Sequence, residues 1–327
     1  MKRIKFCISL LLLVGTIASC GGGKATASSS GSGQAAVPAF NADSAYEYTR
    51  RQLEFGYRIP NTPAHKATAA YLQGELARHG AEVTPQAARV TAYDGTGLDI
   101  VNIIGSFAPE KKKRVLLMAH WDSRPYADND PDPANHRKPI PGADDGAASV
   151  AVLLEIARQI GNGSPSVGVD IIFFDAEDYG APYFAASATD PDLSWCLGSQ
   201  YWSRNPHKAG YRADFGILLD MVSGRGSVFY KEQFSRMYAP AVVDKIWNEA
   251  ANIGYASYFV SQTGCAVTDD HYFVNEYAGI PCVDIIAYTD ESCFPPYWHT
   301  LGDDMDNIDR NTMKAVGETV LSVIYKE

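Results

Sequence analysis

The 327-residue chain contains no CxxC pair, no stripe of basic residues, no internal repeat and no apolar run long enough to cross a bilayer. Each absence removes a class of function. Six cysteines stand at 7, 20, 196, 265, 282 and 293, and that spacing argues against a cysteine-based zinc site. Without a basic stripe, and with 38 acidic residues against 28 basic ones, nucleic acid is not an expected partner. The apolar run "FCISLLLLVGTIA" (6–18) is too short to span a membrane and follows the basic start "MKRIK". That is the layout of a secretory signal. Taking Lys2, Arg3 and Lys5 away with it leaves 25 basic residues, so the formal charge is more negative than −10. Solubility accounts for that acidity.

What is present begins at the end of the signal, residues 1–19. "IASC" resembles a bacterial lipobox. The resemblance implies cleavage before Cys20 and lipid attachment there. The protein would then be anchored to a membrane in the bacterial cell envelope, facing the periplasm or the surface. The alternative is an ordinary signal peptide with an incidental cysteine. "GGGKATASSSGSGQAA" is small and polar, so residues 20–37 read as a flexible tether. No linker interrupts 38–327, and 46% hydrophobic residues suffice for the core of one catalytic domain. Pairing among Cys196, Cys265, Cys282 and Cys293 is not legible at this level.

Periodicity predicts helices over 41–56, 62–80, 144–161 (closed by Gly161), 238–254 and 309–327. Strands are predicted at 81–92 and 97–107, joined by the turn "YDGTG", and at 115–121, 167–177, 215–221, 255–260 and 282–288. "PEKKKR" (109–114) reads as a charged, solvated hairpin tip. Buried apolar strands alternating with helices define an α/β fold: three layers, with a mostly parallel, mixed central sheet flanked by helices.

Polar residues gather just beyond the apolar runs. "HWDS" gives His120 and Asp122; "DAED" gives Asp175, Glu177 and Asp178; "GILLD" gives Asp220; and "PPYWHT" gives Trp298 and His299. Asp144 and Asp145 open a helix. In open α/β sheets, sites form outside the carboxyl ends of the strands. These residues are therefore candidates for one crevice, with a cation as counter-charge to the acids. Histidine with several carboxylates is a zinc-type donor set, less suited to Mg²⁺ or Ca²⁺. The competing reading has each acid capping a helix or pairing with an arginine. For Asp144, at a helix N-terminus, that reading is favoured.

In order, "AHWDS", "GADDGAASVAVLLEIAR", "FFDAED", "LLDM", "TDDHYFVNEYAGIP" and "YWHT" resemble the zinc aminopeptidase superfamily that includes the glutaminyl-peptide cyclotransferases, or glutaminyl cyclases. The ordered set is specific although each piece alone is weak. Two readings follow from the resemblance. Dinuclear aminopeptidases would place one metal on His120 and Asp220, the other on Asp178 and His299, with Asp145 bridging. Cyclases would hold one Zn²⁺ per chain on Asp145, Asp178 and His299. "YWHT", the first acid of "TDDH" and "CFPPYWHT" match the cyclase pattern. Asp178 stands where animal cyclases have Glu, and Asp284 where they have His.

The cyclase resemblance implies zinc-dependent closure of an N-terminal glutamine, on a peptide or protein, to pyroglutamate with release of ammonia. Glu177 would move the proton, Asp269 and Asp220 would share hydrogen bonds with it, and Asp178 would face the metal as a neighbour in extended chain. Trp298 would wall the pocket, with Phe294 and Tyr183 as further lining. His271 is either structural or catalytic. His65, His79, His136 and His207 read as surface residues. The rivals are a dinuclear aminopeptidase and a non-catalytic zinc-containing peptide-binding lipoprotein.

Overall fold

The computed structural model describes residues 36–185 and 192–327. The signal, Cys20 and the tether up to residue 35 lie outside the described residues. Among the described residues, no helix is long and apolar enough to cross a membrane.

Local chemistry starts the helices. Asn41 Oδ1 accepts the Ser44 amide to cap α1 (Ala42–Leu53), and Thr62 accepts the His65 amide ahead of α2, which opens on Pro63 (Pro63–Arg78). The strands β1 (Glu82–Thr91) and β2 (Gly97–Phe107) form the predicted antiparallel hairpin, pairing Thr91 with Gly97. β3 (Arg114–His120), α3 (Ser149–Asn162), β4 (Gly168–Phe174), α4 (Leu197–Arg204) and β5 (Phe215–Asp220) follow. Then come β6 (Val228–Lys231), α5 (Gln233–Tyr238), α6 (Pro240–Asn252), β7 (Phe259–Thr263), α7 (Asp270–Phe273), β8 (Cys282–Tyr288) and α8 (Arg310–Tyr325). The eight strands form one sheet in the order β1-β2-β4-β3-β5-β8-β6-β7. Its centre, β4-β3-β5-β8, is parallel, so the carboxyl ends of these four strands share one edge.

Three layers result. Along β3, Leu117 and Ala119 enter the core shared with α1, α2, α3, α6 and α8, whereas Leu116 and Met118 pack against Trp202 of α4 and Val274 on the other face. That alternation is the period of a strand buried on both sides.

Four local expectations are corrected. "PEKKKR" is not a hairpin tip, because β2 and β3 are not neighbours: β4 lies between them. Its last residue, Arg114, is buried and forks onto Asp170 of β4 at 2.6 Å through both Nε and Nη2. The helix expected from Asp144 starts regularly only at Ser149. Ala143–Ala148 form a wide turn in which Asp145 is not helical (φ −99°, ψ 85°). Gly161 does not stop α3; it lies within it, where a Cβ would come within 2.0 Å of the His79 carbonyl oxygen. The strand expected at 255–260 is displaced to β7, because Tyr255 and Tyr258 are tied in a turn by a Tyr258 N–H to Tyr255 carbonyl bond of 3.0 Å.

Candidate active site

Each of the four central strands ends in a chemically active residue or leads into one. His120 closes β3 and Asp220 closes β5. β4 ends at Phe174, and the chain then bends through Ala176, whose φ of 51° is left-handed. Glu177 and Asp178 therefore do not diverge as strand neighbours. They are held by their main chain: both amides donate to the buried Asp122 carboxylate at 3.1 Å. The Cys196 amide donates to the Glu177 carbonyl at 2.9 Å. Asp303 does the same service for the other acidic pair, accepting the amides of Asp144 (2.9 Å) and Asp145 (3.2 Å). Met221, Cys196 and His299 also adopt left-handed φ beside the site, the kind of local strain that surrounding structure must hold in place.

Two sets of donors meet at Asp145. His299 Nε2 lies 3.2 Å from Asp178 Oδ1 and 3.6 Å from Asp145 Oδ2. His120 Nε2 lies 3.0 Å from Asp145 Oδ1 and 3.4 Å from Asp220 Oδ1. Donors bonded to a tetrahedral zinc at about 2.0–2.1 Å sit about 3.3 Å apart. Both oxygens of Asp178, Asp145 Oδ2, Asp220 Oδ1 and both ring nitrogens of His120 are buried without a hydrogen bond. Buried polar atoms left unpaired are costly. A nitrogen-and-oxygen set that is dry, convergent and unpaired fits a zinc-type cation. Gly146 makes the approach possible, since a Cβ there would lie 2.5 Å from His120 Nε2.

The surroundings fix the donors. Asp128 takes the Arg124 guanidinium in a fork (2.7 and 2.6 Å) and lies 3.5 Å from His299 Nδ1, a carboxylate behind a candidate ligand histidine. Arg124 Nη1 also donates to the Asp178 carbonyl at 3.1 Å. Burial pushes Asp178 up to about 6, with the Asp145 charge adding to it. Burial likewise pushes Asp220 up to about 8, and holds Glu177 well above the ordinary carboxylate range. So many acids in so dry a place stay ionised together only beside positive charge.

A cavity of about 300 Å³ opens onto this cluster, lined by Asp145, Glu177, Asp220, Asp269, Trp298 and His299, with Trp195, Phe294 and the chain from Ala266 to Thr268 as walls. A larger groove of about 650 Å³ runs between α2 and the β1–β2 hairpin; it is lined by Lys66, Arg89 and Asp99 and holds none of these donors. Trp298 stacks on His299 with ring centres 3.8 Å apart, and on Phe294 at 4.1 Å. Glu177 and Asp269 offer oxygens within 4.8 Å of each other and of Cys196 Sγ. The Cys196 thiol donates to Glu177 Oε1 at 3.1 Å.

The structure thus brings together Asp145, Asp178, His299, His120, Asp220, Glu177, Asp269, Trp298 and Phe294. It does not bring Tyr183, which is 65% exposed and bonds to His136 Nδ1 instead. Asp175 stands apart too, paired with His65 Nε2 at 2.8 Å. The surface reading fails for two of the four histidines: His65 is buried against Asp175 and Trp121, and His79 is buried against Tyr48. His136 and His207 are half-buried. Asp144 does not cap a helix; it accepts the Ser223 amide and the Tyr297 hydroxyl. Sequence reasoning missed Trp195, which lies parallel to His299 at 5.8 Å and under Arg124. It sits in a loop with no periodicity to expose it. Cys265 and Cys293 form a disulfide, while Cys196 and Cys282 are buried free thiols.

His271 Nδ1 lies 3.9 Å from Asp284 Oδ2, and both residues offer atoms within 4.8 Å of an Asp269 oxygen. His271 Nε2 lies 3.1 Å from Glu232, which also accepts the amides of Phe234, Ser235 and Val267. Burial alone would raise the Glu232 carboxyl, but the bond to His271 and the Ser235 amide bring it down to about 2. A carboxyl lower in the folded than in the unfolded state stabilises above the unfolded value and loses that contribution as pH falls. The stability gap between the protein and its Glu232→Gln variant should therefore narrow from pH 5 to pH 2, by roughly 3 kcal/mol. Urea melts of both proteins across that range measure it, and a constant gap would refute the assignment.

A zinc-type donor cluster at the carboxyl edge of a mixed α/β sheet, opening on a small aromatic-walled pocket, is the architecture of the zinc-peptidase-like α/β enzymes. The chain belongs to peptidase family M28, whose model matches residues 102–324. It is 55% identical to a glutaminyl cyclase of Bacteroides thetaiotaomicron solved with N-acetylhistamine, with a TM-score of 0.88 over 89% of this chain and 100% of that one. It is 57% identical to a Zn-dependent exopeptidase from Parabacteroides distasonis, again with a TM-score of 0.88 and coverage of 89% and 100%. A glutaminyl-peptide cyclotransferase of Gloydius blomhoffii is 25% identical over 251 residues. That alignment takes in 69% of this chain and 65% of the curated relative's length.

Proposed function

We propose that the protein is a glutaminyl-peptide cyclotransferase: it converts the N-terminal glutamine of a peptide or protein to pyroglutamate and releases ammonia. The observation that carries this reading is the placement of Glu177 and Asp269 in a cavity of about 300 Å³ walled by Trp298 and lined by Asp145 and His299, which converge with Asp178. The space suits one side chain and its own α-amine, with the rest of the peptide outside. The likeness to the Bacteroides cyclase supports the same reading.

Asp145, Asp178 and His299 would hold one zinc ion per chain, which when bound supplies Lewis-acid polarisation of the glutamine side-chain carbonyl. Trp298 and Phe294 hold the side chain and exclude water, so that the α-amine competes alone for the carbonyl carbon. Glu177 accepts the proton that the α-amine sheds as its nitrogen bonds to that carbon. It returns the proton to the departing amide nitrogen, which leaves as ammonia when the old C–N bond breaks. Burial disfavours a charged Glu177, which suits a group that must both take and give a proton. Asp269 and Asp220 line the same cavity, and the Asp269 charge adds to burial in disfavouring a charged Glu177.

The second set, His120 with Asp145 and Asp220, favours one competing reading, a two-metal aminopeptidase. The products separate the two. Incubating purified holoenzyme with a Gln-initiated peptide should lower the peptide mass by one ammonia. Release of free glutamine without that loss would overturn the assignment in favour of hydrolysis.

A further inference from the structure

The outer wall of the pocket is built from two loops that a disulfide joins. One runs from Cys265 to Asp269 and supplies Ala266, Val267, Thr268 and Asp269; the other runs from Thr289 to His299 and supplies Phe294, Trp298 and His299. Cys265 and Cys293 join them, with Cα atoms 6.0 Å apart.

The loops are not equally secured. The first is stitched to the start of α5: the Gln233 amide donates to the Cys265 carbonyl (3.0 Å) and the Val267 amide to Glu232 (3.1 Å). The far end of the second is also fixed. The Asn129 amide donates to the His299 carbonyl at 3.1 Å, the Leu301 amide to Asp130 at 3.0 Å, and the Tyr297 hydroxyl to Asp144 at 2.7 Å. The near end differs. Among the described residues, the hydrogen bonds of 289–294 stay inside that stretch, from Thr289 Oγ1 and Ser292 Oγ to the Phe294 carbonyl and from the Cys293 amide to the Thr289 carbonyl. Its ties to the rest of the site are the disulfide, the stacking of Phe294 on Trp298 and the apolar packing of those two rings against the core, none of them a hydrogen bond.

We infer that the Cys265–Cys293 disulfide is a positioning element for substrate: it holds Phe294 against Trp298 as the pocket's outer wall, and its loss weakens substrate binding without disturbing the donor cluster. Both cysteines are only half-buried, so a thiol reagent can reach them. A dithiol reductant would supply two electrons and two protons, leaving Cys265 and Cys293 as thiols and itself as a disulfide. The segment 289–294 would then have to be ordered by each incoming substrate. Ordering the side chains of a binding wall costs about 0.5–1.5 kcal/mol for each one immobilised.

The inference rests on the cyclase reading for its substrate, and the test keeps the two apart. Holoenzyme is assayed for ammonia release from a Gln-initiated peptide, untreated and after reduction by dithiothreitol with thiol counting. The Cys293→Ser variant is assayed beside it, and metal content and thermal melting are recorded for every sample. Reduction and substitution should each raise KM roughly tenfold while kcat and bound metal stay within a factor of about two of the oxidised protein. Amide hydrogen exchange should quicken across 289–294 and not across 297–301. An unchanged KM with both thiols counted free overturns the proposal. So does a fall in kcat together with loss of metal in the Cys293→Ser variant, which meets no dithiol able to chelate the ion and would place the disulfide in the support of the donor cluster. An oxidised holoenzyme with no ammonia release overturns the cyclase reading instead, and the exchange comparison still decides whether the disulfide orders the segment.

Discussion

Replacing Glu177 by glutamine should lower kcat for cyclisation by about 10²–10⁴-fold, the range that general acid–base catalysis ordinarily contributes. KM and metal content should hardly change. Glutamine preserves the shape of the side chain and can still accept the Cys196 thiol hydrogen at Oε1. It cannot take up the proton of the α-amine. Because the amides of Glu177 and Asp178 are fixed by Asp122 rather than by the Glu177 side chain, the substitution leaves Asp178 where it is. Steady-state kinetics and metal analysis on the same preparation check it. Retained activity would remove Glu177 from the proton transfer, and lost metal would make it a donor instead.

The second large effect concerns the two histidines. His299→Ala should abolish both zinc retention and turnover, since it removes the only nitrogen from the set with Asp145 and Asp178. His120→Ala should leave about one zinc per chain. It strips a ring that lies against Asp145, Asp220 and Asp122, three carboxylates, so turnover should fall although the ion stays. Metal content after dialysis, measured on both variants and the parent, tests the pair. Two ions in the parent, with one surviving in each variant, would establish the dinuclear reading of His120, Asp145 and Asp220.

Much of this architecture is written in local sequence. The parallel centre of the sheet follows from apolar runs such as "VLLMA" and "DIIFF" separated by helices, and the carboxyl-edge rule then collects His120, Glu177, Asp178 and Asp220. The convergence of Asp145 with His299 is not local. It depends on a wide turn that departs from helical geometry, and a helical period cannot anticipate such a turn. The same limit applies to charged groups. Arg114 and His65 look solvated in sequence, yet each is buried because a distant carboxylate awaits it: Asp170 for Arg114, Asp175 for His65. Strand periodicity carries no information about such partners, and neither does cysteine spacing about the pairing of Cys265 with Cys293.

Asp122 and Asp303 have a consequence for how such a centre can change. They grip peptide groups, so their hold on the chain at 144–145 and 177–178 runs through its amides and does not depend on the side chains at 145, 177 and 178. Scaffold and chemistry are thereby decoupled. Exchanging the carboxylate at 178, by Asp178→Glu for example, is then a change of fitting on an unaltered mount, and reactive groups there can be revised one at a time without refolding the frame that carries them.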